Sequence, residues 1–144
     1  MRRLLPVVFL CLLTLTGWAA RRGPITITSD DDFAPHNGVV AGSGTQQDPF
    51  VIAGWHIDAG AGVGITVRDT TRPFVVRDCS FTGCPQGTGI ALIRVAGAVV
   101  SESAFSSIGT GLFLFRSPDT VIRDCTFASC RTGIEGTESR ALGV

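Results

Sequence analysis

Lysine and tyrosine are both absent from this 144-residue chain, and methionine occurs once, at Met1. Without lysine there is no Schiff-base chemistry and no phosphate-cradling P-loop lysine. Charge of one sign is lacking too: twelve basic residues, all arginine, balance twelve acidic ones, for a formal net charge of zero. A neutral chain offers no basic field to a phosphate backbone, so nucleic acid is not expected as a partner. Histidine occurs only at His36 and His56. The 3.6-residue hydrophobic period of a helix is missing throughout. Glycine, by contrast, is abundant at 18 residues, well above the usual share of about 7%, which points to many tight turns. One domain is expected at this length.

The N-terminus reads as an export signal. Arg2 and Arg3 supply a positive start, Leu4 to Thr16 is mostly apolar, and small Gly17, Ala19 and Ala20 follow. Cleavage after Ala19 leaves small residues at −3 and −1, whereas cleavage after Ala20 would put Trp18 at −3. The expected organisation is a signal peptide over 1–19, an N-terminal cap and partial coil over 20–49, and repeats over 50–144. The apolar run falls short of the roughly 17–25 residues of a membrane span, so no span is expected after cleavage; an uncleaved anchor is the alternative. The processed chain is slightly acidic, and its expected location is secreted, periplasmic or cell-surface.

Four segments superimpose: Val51–Ile57, Val75–Phe81, Val99–Phe105 and Val121–Phe127. Their starts recur at a nearly constant step, the last slightly shorter than the first two. Each is followed by a second apolar stretch opened by glycine, at Gly64-Ile65, Gly89-Ile90, Gly111-Leu112 and Gly133-Ile134. A unit this short, built of β-branched runs and Gly/Asp/Ser turns, cannot bury its own apolar face. Stacking the units at about 4.8 Å, the ordinary strand spacing, solves that problem. The pattern therefore predicts an all-β fold, a right-handed parallel β-helix of about four coils with an N-terminal cap. Its inward columns would be Ile52–Val76–Val100–Ile122, Trp55–Cys79–Ser103–Cys125, Ile57–Phe81–Phe105–Phe127 and Ile65–Ile90–Leu112–Ile134. One full step back from Val51 reaches Ile27, which suggests that Ile25-Thr26-Ile27 opens an earlier coil. Ser29 followed by Asp30, Asp31 and Asp32 reads as the start of a short capping helix. No comparable cover follows Gly133-Ile134, so the open edge predicts end-to-end stacking into a homo-oligomer or a shortened copy of a longer solenoid.

The stretch Gly42-Ser43-Gly44-Thr45-Gln46-Gln47-Asp48-Pro49-Phe50-Val51-Ile52-Ala53-Gly54-Trp55 and the Arg-Asp-Cys-x-Phe…Gly-Ile repeats at 77–90 and 123–134 carry a resemblance. They resemble exported right-handed parallel β-helix repeat proteins of the NosD-like group, also described as carbohydrate-binding and sugar-hydrolase β-helices. The resemblance spans 25–134. It implies the fold and leaves function open, because the group includes polysaccharide-active enzymes, surface proteins and a copper-linked periplasmic factor. Copper carriers cluster Met, His and Cys. His36 and His56 form no such cluster and are read as exposed polar residues, so no metal and no cofactor is expected.

Three further constellations bear on function. Cys79, Cys84, Cys125 and Cys130 form two Cys-x4-Cys pairs two rungs apart, about 9.6 Å, too far for a disulfide between pairs or a tetrahedral zinc site. They are read as small apolar column residues, with within-coil disulfides Cys79–Cys84 and Cys125–Cys130 as the alternative. Asp78, Glu102 and Asp124 would stand one above another, at spacings near those of glycosidase carboxylate pairs; a turn position that favours Asp beside arginines is the leading account of them, with cation binding and hydrolytic chemistry as the alternatives. A parallel column, Asp69–Arg94–Arg116–Glu138, would be a surface ion ladder. Ile93, Phe113 and Phe115 would form an outward apolar patch suited to a partner. The leading reading is an exported non-catalytic β-helix that binds a surface polysaccharide or a protein partner. A polysaccharide hydrolase or lyase using Asp78, Glu102 and Asp124 is the second, and a truncated fragment without independent activity the third.

Overall fold

The structure is a computed structural model that describes residues 19–139 and 141–142. The expected signal peptide, except for Ala19, lies outside the described residues. Strands β1 (Ala20–Arg22), β5 (Trp55–Asp58), β8 (Ser80–Thr82), β11 (Ala104–Ser106) and β14 (Thr126–Ala128) stack in that order into sheet I. Sheet II stacks β2 (Ile25–Ile27), β6 (Val63–Arg68), β9 (Thr88–Ile93), β12 (Thr110–Phe115) and β15 (Thr132–Thr137). Sheet III stacks β3 (Val39–Ala41), β4 (Phe50–Ala53), β7 (Phe74–Arg77), β10 (Val99–Ser101), β13 (Thr120–Arg123) and β16 (Ala141–Leu142). Each coil contributes one strand to every sheet, and the fold is a parallel β-solenoid of about four coils, as the repeat predicts.

The register matches the expected columns residue for residue. Ile52 pairs with Val76, Val76 with Val100 and Val100 with Ile122, and all four are buried. Ile65, Ile90, Leu112 and Ile134 align in sheet II. In sheet I the rings of Phe81, Phe105 and Phe127 stack at centroid separations of 4.9 and 5.0 Å, each pair within 8° of parallel. That stack explains the glycine at the second position of β6, β9 and β12. A Cβ on Gly89 would lie 2.6 Å from the Phe105 ring, and one on Gly111 would lie 2.5 Å from the Phe127 ring. The glycines are the space that the rings occupy.

The N-terminal coil differs from expectation in register. Ile25 pairs with Ile65 and Ile27 with Val67, so β2 extends sheet II and does not lie under Val51. The place under Val51 in sheet III is taken by β3, the one antiparallel strand among those described. Between them, Asp30–Asp32 and Pro35–Asn37 are single 3₁₀ turns, and the Ser29 side chain caps neither. Asp30 is instead a latch: its carboxylate accepts from the Thr70 and Thr71 hydroxyls and the Thr71 amide, with Arg72 at 3.8 Å. Phe33 then stacks on Phe50, centroids 4.7 Å apart, and seals the first rung. Trp55 keeps its column but is half-buried, its indole N–H donating to the Gly38 carbonyl at 2.9 Å.

At the other end, β14 and β15 have no further strand on their outer edges among the described residues. Phe127 and Ile134 are half-buried there, while their counterparts Phe105 and Leu112 are sealed.

Candidate functional site

The expected acidic column exists, and backbone conformation accounts for its composition. Arg77, Ser101 and Arg123 are aligned by the sheet III register, so Asp78, Glu102 and Asp124 occupy equivalent corners on successive rungs. Their φ angles are 52°, 48° and 55°, and Gly54 below them has 78°. This is the left-handed region, which favours Gly and tolerates Asp. The ladder continues through these corners: the Gly54 amide donates to the Asp78 carbonyl at 3.0 Å, and the Glu102 amide to the Arg123 carbonyl at 3.2 Å. The three carboxylates are exposed, and that of Asp78 is held by Arg77 at 2.6 Å.

The same device recurs at the other corners, though not on every rung. Asp69, Arg94, Arg116 and Glu138 have φ between 49° and 57° and mark the exit from sheet II. Here the expected ion ladder resolves into two pairs. Arg94 donates to both Asp69 oxygens, at 2.6 and 3.0 Å, and Arg116 to Glu138 at 3.1 Å. The Arg94 hydrogen bond holds the Asp69 carboxyl below its usual range and raises Arg94 in turn. The third corner carries Ser107 and Ser129, with φ of 53° and 56°.

The residue after each left-handed corner turns inward, which explains the cysteines. Cys79, Ser103 and Cys125 share one such column; the Ser103 hydroxyl donates to the Ser101 carbonyl at 2.9 Å, and the thiols of Cys79 and Cys125 lie 3.3 and 3.4 Å from the carbonyls two residues back. Ser117 and Ser139 repeat this at the sheet II exit. Burial pushes the Cys79 thiol up to about 11 and raises Cys125 as well. All four thiols are free. The within-coil disulfides considered from sequence are not formed, because β8 separates Cys79 from Cys84 and β14 separates Cys125 from Cys130. A three-residue strand spans about 10 Å, beyond the Cα separation of about 4.4–6.8 Å that a disulfide needs.

The outward patch is assembled as expected. Ala91 pairs with Phe113 and Ile93 with Phe115, on the outer face of sheet II. Ile93, Phe113 and Phe115 are half-buried and Ala91 is buried. The Arg116 guanidinium lies 5.1 Å from the Phe115 ring centroid, covering one edge of the patch. His56 lies on the outer face of sheet I, its Nδ1 2.7 Å from the Ser80 hydroxyl oxygen, and His36 lies in the second 3₁₀ turn. Among the described residues no group of His, Cys, Asp and Glu is arranged to hold a metal ion.

One feature escapes sequence reasoning. A groove of about 440 Å³ opens at the corner from sheet I to sheet II, lined by Gly83, Pro85, Ser107, Ile108, Ser129 and Arg131 among others. It arises from unequal corners: Thr82 to Thr88 is two residues longer than Ser106 to Thr110 or Ala128 to Thr132. Pro85 therefore stands as a ledge over the shorter corners. A Cβ on Gly109 would lie 2.1 Å from the Pro85 carbonyl oxygen, so only glycine lets the ledge settle on the next rung. The shortening of the repeat between its Val75-to-Val99 and Val99-to-Val121 steps is the signal that could have located it.

No curated protein and no solved structure shows significant similarity to the chain. A family description, the right-handed β-helix region, matches residues 36–142. The match covers the repeats whose parallel register, stacked columns and left-handed corners are described above, and the chain belongs to the right-handed β-helix family.

Proposed function

We propose that this chain is an exported, non-catalytic β-helix that binds a surface polysaccharide or a protein partner. The observation that carries the reading is the outer face of sheet II, where half-buried Ile93, Phe113 and Phe115 hold apolar surface on a parallel sheet. Such patches mark contact sites more often than bare surface. The acidic column, in contrast, stands at exposed left-handed corners whose residue type the backbone already favours. Export is supported at the first strand: Ala20, the first residue after the expected cleavage, opens β1, and its backbone nitrogen donates to the Gly54 carbonyl at 3.1 Å. A NosD-like subtype and a secreted, periplasmic or cell-surface location follow from the same reading.

The test is retention of the processed chain, from residue 20, on immobilised cell-surface polysaccharide and on purified surface proteins, with release of reducing ends or unsaturated products followed in parallel. Retention that Phe113→Ser/Phe115→Ser abolishes, with no product released, is the expected result. Product release that Asp78→Asn, Glu102→Gln or Asp124→Asn removes would establish the hydrolase or lyase reading instead. A second reading, end-to-end association, is favoured by the half-buried Phe127 and Ile134 on the last rung. Light scattering on the same chain reads it directly: a dimer that Phe127→Asp dissociates supports it, and a monomer refutes it.

A further inference from the structure

We infer that the outer face of sheet II is covered by the same face of a second copy of this chain, in a two-fold dimer whose axis runs along the strands. The inference rests on the binding reading above and names the protein partner. Across β9 and β12, Ala91 and Phe113 share one outward column and Ile93 and Phe115 the other. These four side chains hold no polar atom, so they offer the hydroxyls of a sugar nothing to bond. On the rung before them β6 presents Thr66 and Arg68, and on the rung after them β15 presents Glu135 and Thr137. The two charges therefore stand at diagonally opposite corners of the apolar patch. Both are exposed, and neither is held in an ion pair among the described residues. The other two outer faces lack this pattern. Sheet I presents polar His56, Ser80 and Thr82. Sheet III presents a single valine column, Val51 to Val121, beside Arg77 and Arg123, with no carboxylate in either column of β4, β7, β10 and β13.

A two-fold contact must be self-complementary, and this face is so in one orientation. An axis along the strands, midway between β9 and β12, reverses the order of the rungs in the facing copy. Ala91 then meets Phe113 of the second copy, and Ile93 meets Phe115 of the second copy. The smaller side chain faces the larger at each central contact, as interdigitating sheets require. Arg68 comes opposite the rung that holds Glu135 of the second copy, offset by two residues, about 6.6 Å, which an arginine side chain spans. Symmetry makes that pair twice. The alternative axis, along the solenoid, would set Phe113 on Phe115 and bring Arg68 beside its own copy, and Glu135 likewise. Like charges in contact disfavour it. Strands of 6 residues on four rungs make a face of about 400 Å². The dimer covers about 800 Å² in all, below the roughly 1,200 Å² of a standard interface, so it is transient and concentration-dependent.

The test is sedimentation velocity of the processed chain over a range of concentrations, beside Arg68→Glu, Glu135→Arg and an equimolar mixture of the two variants. The wild type shows a reversible monomer–dimer equilibrium. Each reversal turns two facing pairs from attractive to repulsive and weakens the dimer about tenfold or more. Mixing the variants re-creates both opposite-charge pairs across one interface, and the heterodimer returns to within about threefold of the wild type. Both positions are exposed, and matching circular dichroism and melting temperatures verify that the variants fold. A monomer at every concentration, a dimer that neither reversal weakens, or a mixture no tighter than its components each overturns the proposal. A dimer that Phe127→Asp dissociates and the reversals leave intact is the end-to-end assembly, and overturns it too. If the wild type stays monomeric while retention that depends on Phe113 and Phe115 persists, the second copy is refuted and the binding reading stands. If neither is seen, both fall.

Discussion

Replacing Phe105 by alanine should cost far more than replacing Phe127, although both occupy one column and differ by a single rung. Phe105 is 1% exposed and sandwiched between the rings of Phe81 and Phe127 at 4.9 and 5.0 Å. Truncating a sealed phenylalanine costs about 3–5 kcal/mol in lost transfer energy and cavity. Each stacked ring pair adds about 0.5–1.5 kcal/mol, and Phe105 loses two pairs where Phe127 loses one. Phe127 is half-buried, so it also forfeits about half of the burial term. The difference between the variants is therefore about 3 kcal/mol. Solenoid stability sums over nearest-neighbour contacts, and a break at Phe105 uncouples the third coil from both neighbours, whereas a break at Phe127 frays only the end. Urea unfolding followed by circular dichroism measures this: with a slope of about 1–3 kcal/mol per molar, the Phe105→Ala midpoint should fall about 1 M or more below that of Phe127→Ala. Equal midpoints would refute the stacked column as the spine of the fold.

Three other outcomes are expected. Asp30→Asn should lower the melting temperature at neutral pH, because the Thr70 hydroxyl and Thr71 backbone bonds hold the Asp30 carboxyl below its ordinary 3.8. A carboxyl with a lowered folded pKa contributes stability above its unfolded value and loses it as pH falls through the folded one, so the wild-type and Asp30→Asn melting curves should converge as pH falls below the ordinary 3.8 and through the lowered folded value. Glu102→Gly should melt at or above the wild-type temperature, since Gly54 fills the same corner column with φ 78° and glycine removes a left-handed cost of about 1–2 kcal/mol; a β-branched Glu102→Val should melt lower, and the reverse order would refute the corner assignment. Thiol labelling of the folded, processed chain should modify Cys84 first, as it is exposed, and Cys79 last, as it is buried with its thiol pushed up to about 11; four reactive thiols in denaturant after purification in oxidising buffer would confirm that no disulfide forms.

Repetition made the fold legible. A nearly constant step from Val51 to Val75, Val99 and Val121 lays equivalent positions at one strand spacing, so counting along the chain gives the Ile52, Phe81 and Ile65 columns with their partners before any coordinates. Where repetition fails, so does counting. The segment before Phe50 has no equivalent in the later coils, and the pairing of Ile27 with Val67 depends on how the Asp30 latch and the antiparallel β3 close the first rung. The cysteine spacing shows the same division. The sequence places Cys79 and Cys84 five residues apart, but the extended β8 between them sets the distance that rules out a bridge.

By itself, then, the sequence determined the solenoid, its inward columns, the stack of carboxylates at one corner and the apolar patch on sheet II, because each depends only on period and alternation. Tertiary structure alone decided how those residues are held. The left-handed backbone at Asp78, Glu102 and Asp124, the pairing of Arg94 with Asp69, and the groove lined by Arg131 all arise from corner geometry. Corners differ from rung to rung by one or two residues, which leaves the columns in register and raises the Pro85 ledge over the rungs that follow. That local difference in length, which shortens one step of the repeat, shapes the groove.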